Sequence, residues 1–269
     1  MTTQHPARSI NGLDAVLLGW FVSFFEWFGE LARFIKRVLH ATFLRPFEGG
    51  EFLRQLDAVG PKSLPLIMLS GAATGVVMSL QTSQSLTRLG ARAMLPAVIV
   101  FSMIKETGPI ITALVFTGRV GAGIGAELGS MKVTEQIDAM ESEAVDSHKF
   151  LVVTRTLACI LALPLLTAAA DFSGILFGWI ASTVQQPLSF IKFIHQGFNG
   201  AGFSDLLPPT FKTAFFGLIV GLVASFQGMR TRGGTEGVGL SATSSVVLCS
   251  LFIILSDVVL VRVIQVIWP

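Results

Sequence analysis

The sequence predicts an all-α integral membrane protein: an N-terminal helix lying in the membrane interface, five transmembrane helices, and a polar helix between the second and third. Three observations carry this. Of 269 residues, 52% are hydrophobic and only 13% charged, whereas a soluble domain carries about 25% charged residues; the mean hydropathy is +0.70. The apolar residues gather into segments of spanning length. Between two of these lies a glycine-rich, acidic insert, GRVGAGIGAELGSMKVTEQIDAMESEAVDSHK, running from Gly118 to Lys149.

The length suits one membrane domain, residues 63–269, preceded by an amphipathic N-terminal region, 1–62, with no second globular domain. A net charge of +2 says little about partners, and no Lys/Arg run points to nucleic acid. Cys159 and Cys249 both fall inside apolar segments and read as small core residues. The polar start, MTTQHPARSINGLD, and the lack of a small-residue cleavage site after the first apolar run predict no cleaved signal peptide.

In chain order, residues 13–44 mix Trp, Phe and Leu with Glu26, Glu30, Arg33, Lys36 and Arg37. The apolar run ending at Phe25 is shorter than the roughly 20 residues a spanning helix needs, so this segment is expected to lie in the interface rather than cross as a tilted span. Five spans follow at about 63–86, 93–117, 150–183, 209–228 and 241–267, the third with room to bend at Pro164. The connectors are a short turn at Leu89–Arg92, the acidic insert, a loop at 184–208 and the turn MRTRGGTEGVG.

Orientation follows from the Lys and Arg on each side. With the N-terminus inside, thirteen fall in cytoplasmic parts (Arg8, Arg33, Lys36, Arg37, Arg45, Arg54, Lys62, Arg119, Lys132, Lys149, Arg155, Arg230, Arg232). Five fall outside (Arg88, Arg92, Lys192, Lys212, Arg262), and Lys105 lies within the second span. The insert is therefore placed in the cytoplasm. Small residues recur every four positions: Gly71, Gly75, Ser79 and Ser83; Ala170, Gly174 and Gly178; Gly217, Gly221 and Ser225. Such stripes allow close helix contact in lipid, either within one protomer or between subunits.

Within the insert, GAGIGA (Gly121 to Ala126) matches a dinucleotide fingerprint. That motif works only between a strand and a helix; after a membrane span, its glycines are expected to let the chain leave the bilayer and turn along the surface. Beyond them Val133, Ile137, Met140 and Ala144 share one helical face, with Glu135, Asp138 and Glu141 on others. Anionic headgroups repel such a face, so it is expected to dock a protein partner.

Lys105 and Glu106 lie mid-span, just before Gly108-Pro109, which should kink or break the helix. Residues i and i+1 do not share a helix face, so at least one must meet another helix, another subunit or a wet cavity, and intramembrane charges are functional by default. Asp257 is the natural companion and Asp171 a weaker one; Arg155 and Arg262, near span ends, are expected to snorkel. No P-loop, H-E-x-x-H or G-x-S-x-G motif occurs, and the four histidines are scattered, so neither ATP binding, zinc chemistry nor serine catalysis is expected.

The block KETGPIITALVFTGRVGAGIGAELGSMKVTEQIDAMESEAVD resembles the signature region of the MlaE/YrbE permeases, membrane subunits of MCE-type ABC lipid transporters. RPFEGGEFLRQLDAVGPKSLPLI before it and RGGTEGVGLSATSSVV after it are similar to the same family, so the resemblance covers about 45–267. It implies a non-catalytic, multi-pass permease of the bacterial inner membrane that works as a homodimer. Two cytoplasmic ABC ATPase subunits would bind the ATP and Mg, a periplasmic MCE hexamer would sit above, and a STAS-domain protein would bind the ATPase. The cargo it implies is glycerophospholipid moved between inner and outer membranes, maintaining outer-membrane lipid asymmetry, or in some relatives a sterol. By matching positions, the coupling helix would run from about Val133 to Ala144 within 118–149, with Glu127, Val133, Glu135, Ile137, Asp138, Met140 and Glu141 as its ATPase-facing residues. Lys105, Glu106 and Asp257 would lie at the lipid cavity, where Lys105 replaces the Arg of some relatives. The rival class is a membrane scaffold that anchors a cytoplasmic partner without moving cargo.

Overall fold

The computed structural model describes residues 11–43, 48–184, 187–199 and 207–267. Among them every regular element is helical, and five helices are long and apolar enough to cross a membrane. The chain divides into two compact units, Met1–Leu44 and Arg45–Pro269. The first holds α1 (Asn11–Thr42), whose aromatic run brings the Phe24 and Phe28 rings to 4.7 Å and those of Trp27 and Phe28 to 5.0 Å.

The second unit begins at Arg45. Its first helix, α2 (Gly49–Val59), packs on α8 (Thr154–Thr183) and contributes Val59 to the main core. Pro61 and Ser63 separate α2 from α3 (Leu64–Arg88); Ser63 donates to Val59 O at 2.6 Å, and Arg119 donates to Ser63 Oγ, tying this turn to the insert.

The second span departs most from expectation. It is helical from Arg92 to Val133, far beyond the predicted end at 117. It comprises a short 3-10 turn, α4 (Leu95–Ser102), a π-helical stretch (Met103–Thr107), α5 (Gly108–Phe116), a second π stretch (Thr117–Gly121) and α6 (Ala122–Val133). The glycines expected to turn the chain out of the bilayer instead stay helical, and one of them packs: a Cβ on Gly125 would meet Ser245 Oγ at 2.3 Å, while Gly123 has open space beside it. Close approach to the helix that carries Ser245, not backbone freedom, is what Gly125 supplies.

After α6 come α7 (Gln136–Ser142), a π stretch (His148–Val153) leading into α8, α9 (Phe190–Gly197) within the predicted loop, α10 (Leu207–Met229) and α11 (Gly234–Ile267). Residues 185–186 and 200–206 of that loop, with Arg8 and Arg45 of the charge count, lie outside the described residues. Pro164 sits inside α8 without ending it.

The small-residue stripes pack helices within this one chain. A Cβ on Gly75 of α3 would come within 1.9 Å of Gly174 O on α8, and Gly217 of α10 backs onto Cys159 in the same way. Cys159 and Cys249 are free and buried in the core with Phe116, Leu163, Phe216 and Ile253. α11 is the least buried of the five spans and leaves Leu251, Leu255, Val258 and Val259 exposed.

Candidate functional site

The Gly108-Pro109 step decides the geometry of the second span. Proline has no N–H, so the carbonyl four residues back, on Lys105, loses its helical donor. Gly108 itself donates to Met103 O, five residues back, and a π turn results instead of the expected break. The freed Lys105 carbonyl is approached at 3.3 Å by Nζ of Lys212, from the first turns of α10.

Lys212 is the centre of the site. Its ammonium donates to Glu106 Oε2 at 2.7 Å and lies 2.9 Å from Asp257 Oδ1 on α11, an ion pair off the hydrogen-bond direction. Its side chain is 1% exposed, that of Asp257 12% and that of Glu106 49%. Asp257 and Glu106 thus meet, as their positions suggested, but through a cation that the charge count had assigned to the outer side. A lysine a few residues inside an apolar span was the missed signal. Lys105 is exposed, its Nζ 5.2 Å from the centre of the Phe101 ring. Lys212 thus joins two carboxylates, Glu106 and Asp257, while the exposed Lys105 is the chain neighbour of Glu106. Asp171 is not part of it; its carboxyl lies against Gly108.

The acidic segment is shorter and more bent than a helix over 133–144. Val133 ends α6, Glu135 adopts left-handed φ of 59°, and Ala144, at φ 63°, is past the end of α7. Both Val133 and Ala144 therefore leave the expected apolar face. Ile137 is 1% exposed and seats α7 on the main core, with Met140 packed beside it. Glu135, Asp138, Glu141 and Glu143 are exposed. Asp138 pairs with Lys132 at 2.6 Å, Glu141 accepts from Ser147 at 2.5 Å, and Asp146 Oδ1 accepts from the backbone N–H groups of His148 and Lys149, capping the next helical stretch.

Glu127, expected to face a partner, is exposed and also pairs with a buried cation. Its Oε1 lies 2.9 Å from Nη2 of Arg155, which is 1% exposed and donates from Nη1 to Leu151 O. Arg155 does not snorkel. Buried at the start of α8, it needs a counter-charge that desolvation makes costly to remove. Among the described residues no three His, Cys, Asp or Glu side chains converge as a metal site.

Residues 52–263 match the family model described as Permease MlaE. A probable ABC transporter permease protein of Synechocystis is 34% identical over 205 residues, covering 76% of this chain and 78% of that protein. One from Rickettsia typhi is 30% identical over 236 residues, covering 88% of this chain and 91% of that protein. The chloroplastic protein Trigalactosyldiacylglycerol 1 of Arabidopsis thaliana is 32% identical over 208 residues, covering 77% of this chain and 59% of that protein.

Proposed function

The chain belongs to the MlaE permease family, and we propose that it is the membrane subunit of an ABC transporter moving glycerophospholipids between the inner and outer membranes. As a permease it is not itself an enzyme; ATP and Mg belong to a separate cytoplasmic ATPase. The observation that carries the lipid reading is the Lys212–Glu106–Asp257 charge group joining three spans, with the exposed Lys105 next to Glu106 in the chain and over Phe101. A lipid phosphate entering there meets Lys105 as a point charge, while Glu106 stays held by Lys212. The name of the Arabidopsis relative contains a diacylglycerol lipid, which supports a lipid cargo of the diacylglycerol class rather than a phosphate headgroup in particular.

The assembly reading follows the same logic. The exposed apolar face of α11 suits a second copy of this chain, placing the two charge groups near a shared axis. The N-terminus and α7 face the cytoplasm by the charge count, with α7 as the coupling helix: Ile137 and Met140 fix it to the bundle, and Glu135, Asp138 and Glu141 face the ATPase. A periplasmic MCE hexamer would receive or deliver the lipid, and a STAS-domain protein would act on the ATPase.

The test is reconstitution of the permease with its ATPase in proteoliposomes. Lys105→Ala is expected to slow transfer of a labelled phospholipid at least tenfold while assembly survives, and Glu135→Lys with Asp138→Lys to abolish ATPase association. Unchanged transfer in Lys105→Ala would refute the phosphate role; transfer of a sterol but no phospholipid would refute the cargo.

A further inference from the structure

The second span runs from Arg92 to Val133, so its start lies at the end of the membrane domain away from the acidic segment. A cavity of about 240 Å³ opens there, where the 3-10 turn Arg92–Met94, the last turn of α8 and α9 come together. Arg92 lines it from the turn, and Lys192 and Gln196, one helical turn apart, line it from α9. Pro96 and Leu188 supply apolar wall, and Ser182 closes the α8 side with a hydroxyl that already donates to Trp179 O at 2.7 Å. Among the described residues that line the cavity none is acidic.

Two like charges lining one cavity repel each other, and an anion placed between them turns repulsion into attraction. The donors suit a phosphate: a guanidinium offers a planar fork, an ammonium a point charge, and a glutamine amide two further N–H groups. The surroundings set the depth. Trp179, near the end of α8, donates its indole N–H to Leu188 O at 2.8 Å and meets the Phe190 ring edge-on at 5.1 Å. A tryptophan at a span end marks the interface, the level of lipid headgroups. Exposed apolar side chains flank the lining residues, with Met94 in the turn, Val184 after α8 and Ile191 beside Lys192. The cavity is smaller than the roughly 300–1,000 Å³ that encloses a whole drug-sized ligand. It has room for a headgroup, with the acyl chains left outside among these side chains.

We infer that this cavity is a binding site for the phosphate of an anionic phospholipid, held by Arg92, Lys192 and Gln196. A zwitterionic headgroup adds an ammonium that calls for a carboxylate, and no described lining residue provides one. Phosphatidylglycerol therefore fits better than phosphatidylcholine. The site is separate from the charge group around Lys212: thirteen helical residues part Arg92 from Lys105, about 20 Å at 1.5 Å per residue.

The inference rests on the membrane-spanning fold rather than on the transport reading, and its test needs neither ATPase nor transfer. The full chain in a neutral detergent is titrated with phosphatidylglycerol or with phosphatidylcholine of the same acyl chains, and bound lipid is counted by native mass spectrometry. The wild type is expected to hold one more phosphatidylglycerol than Arg92→Gln with Lys192→Gln, at least about tenfold more tightly than phosphatidylcholine. Arg88→Gln, which removes an exposed cation at the same end but outside the cavity, is expected to keep that lipid. A wild type that holds both lipids alike overturns the inference whether or not the variants fold. So do equal counts in the wild type and the double variant, or a loss as large in Arg88→Gln. Displacement of the lipid by an equal concentration of inorganic phosphate overturns it too, since the ligand would then be free phosphate.

Discussion

The charge group around Lys212 and the acidic segment around α7 use the same residue types to opposite ends. The first is assembled from three helices, its partners more than a hundred residues apart or on different spans, around an ammonium that is 1% exposed. The second comes from one contiguous stretch, and its Lys132–Asp138 pair is 34% and 56% exposed. Burial sets what each pair is worth. Removing one partner of a buried pair leaves a charge that neither water nor protein compensates, whereas an exposed pair is screened and adds little. The inner group therefore ties three spans together, and the outer one is an exposed acidic surface.

The sharpest way to break this comparison is Lys212→Met. It leaves Glu106 and Asp257 facing each other and should lower unfolding stability by about 3–5 kcal/mol, read by denaturation in detergent micelles. Adding Glu106→Gln and Asp257→Asn should recover most of the loss; a single variant as stable as wild type would show that the cluster is no unit. Next, Ile137→Ala should cost about 2–4 kcal/mol, because it empties the buried seat of α7, and faster amide exchange confined to 134–147 would report the release. Glu127→Gln should cost about 1.5–3 kcal/mol by leaving Arg155 without its counter-charge, a loss that Glu127→Asp should partly rescue. Smallest of all, Lys132→Ala should change stability by less than about 1 kcal/mol. A larger drop there would erase the distinction between the two regions.

Much of this was readable in the chain because it depends on local composition. Apolar runs mark helices wherever they end up, and lipid leaves no other way to satisfy their backbone. The stripes through Gly75, Gly174 and Gly217 announced close contacts, and they pack helices of one chain against each other. Lys105, Glu106 and Asp257 stood out because charges are rare at that depth. Lys212 and Arg155 were misplaced for one reason: near a span end, a sequence cannot tell a side chain that reaches outward from one that turns in. Gly125 within 121–126 was misread likewise, since the same residue that permits a turn also permits a tight helix contact, and only the neighbour decides.

By itself, then, the sequence determined that the chain spans a membrane with five helices and carries charge inside the second and fifth. It also marked one acidic segment outside the spans, since hydrophobicity and charge belong to residues wherever they sit. Only the tertiary structure decided that Lys212 joins Glu106 to Asp257, that Glu127 serves Arg155, and that Asp171 backs onto Gly108. Those pairings depend on helix rotation and register. A turn of one residue, about 100° around the helix axis, would have made every one of them different.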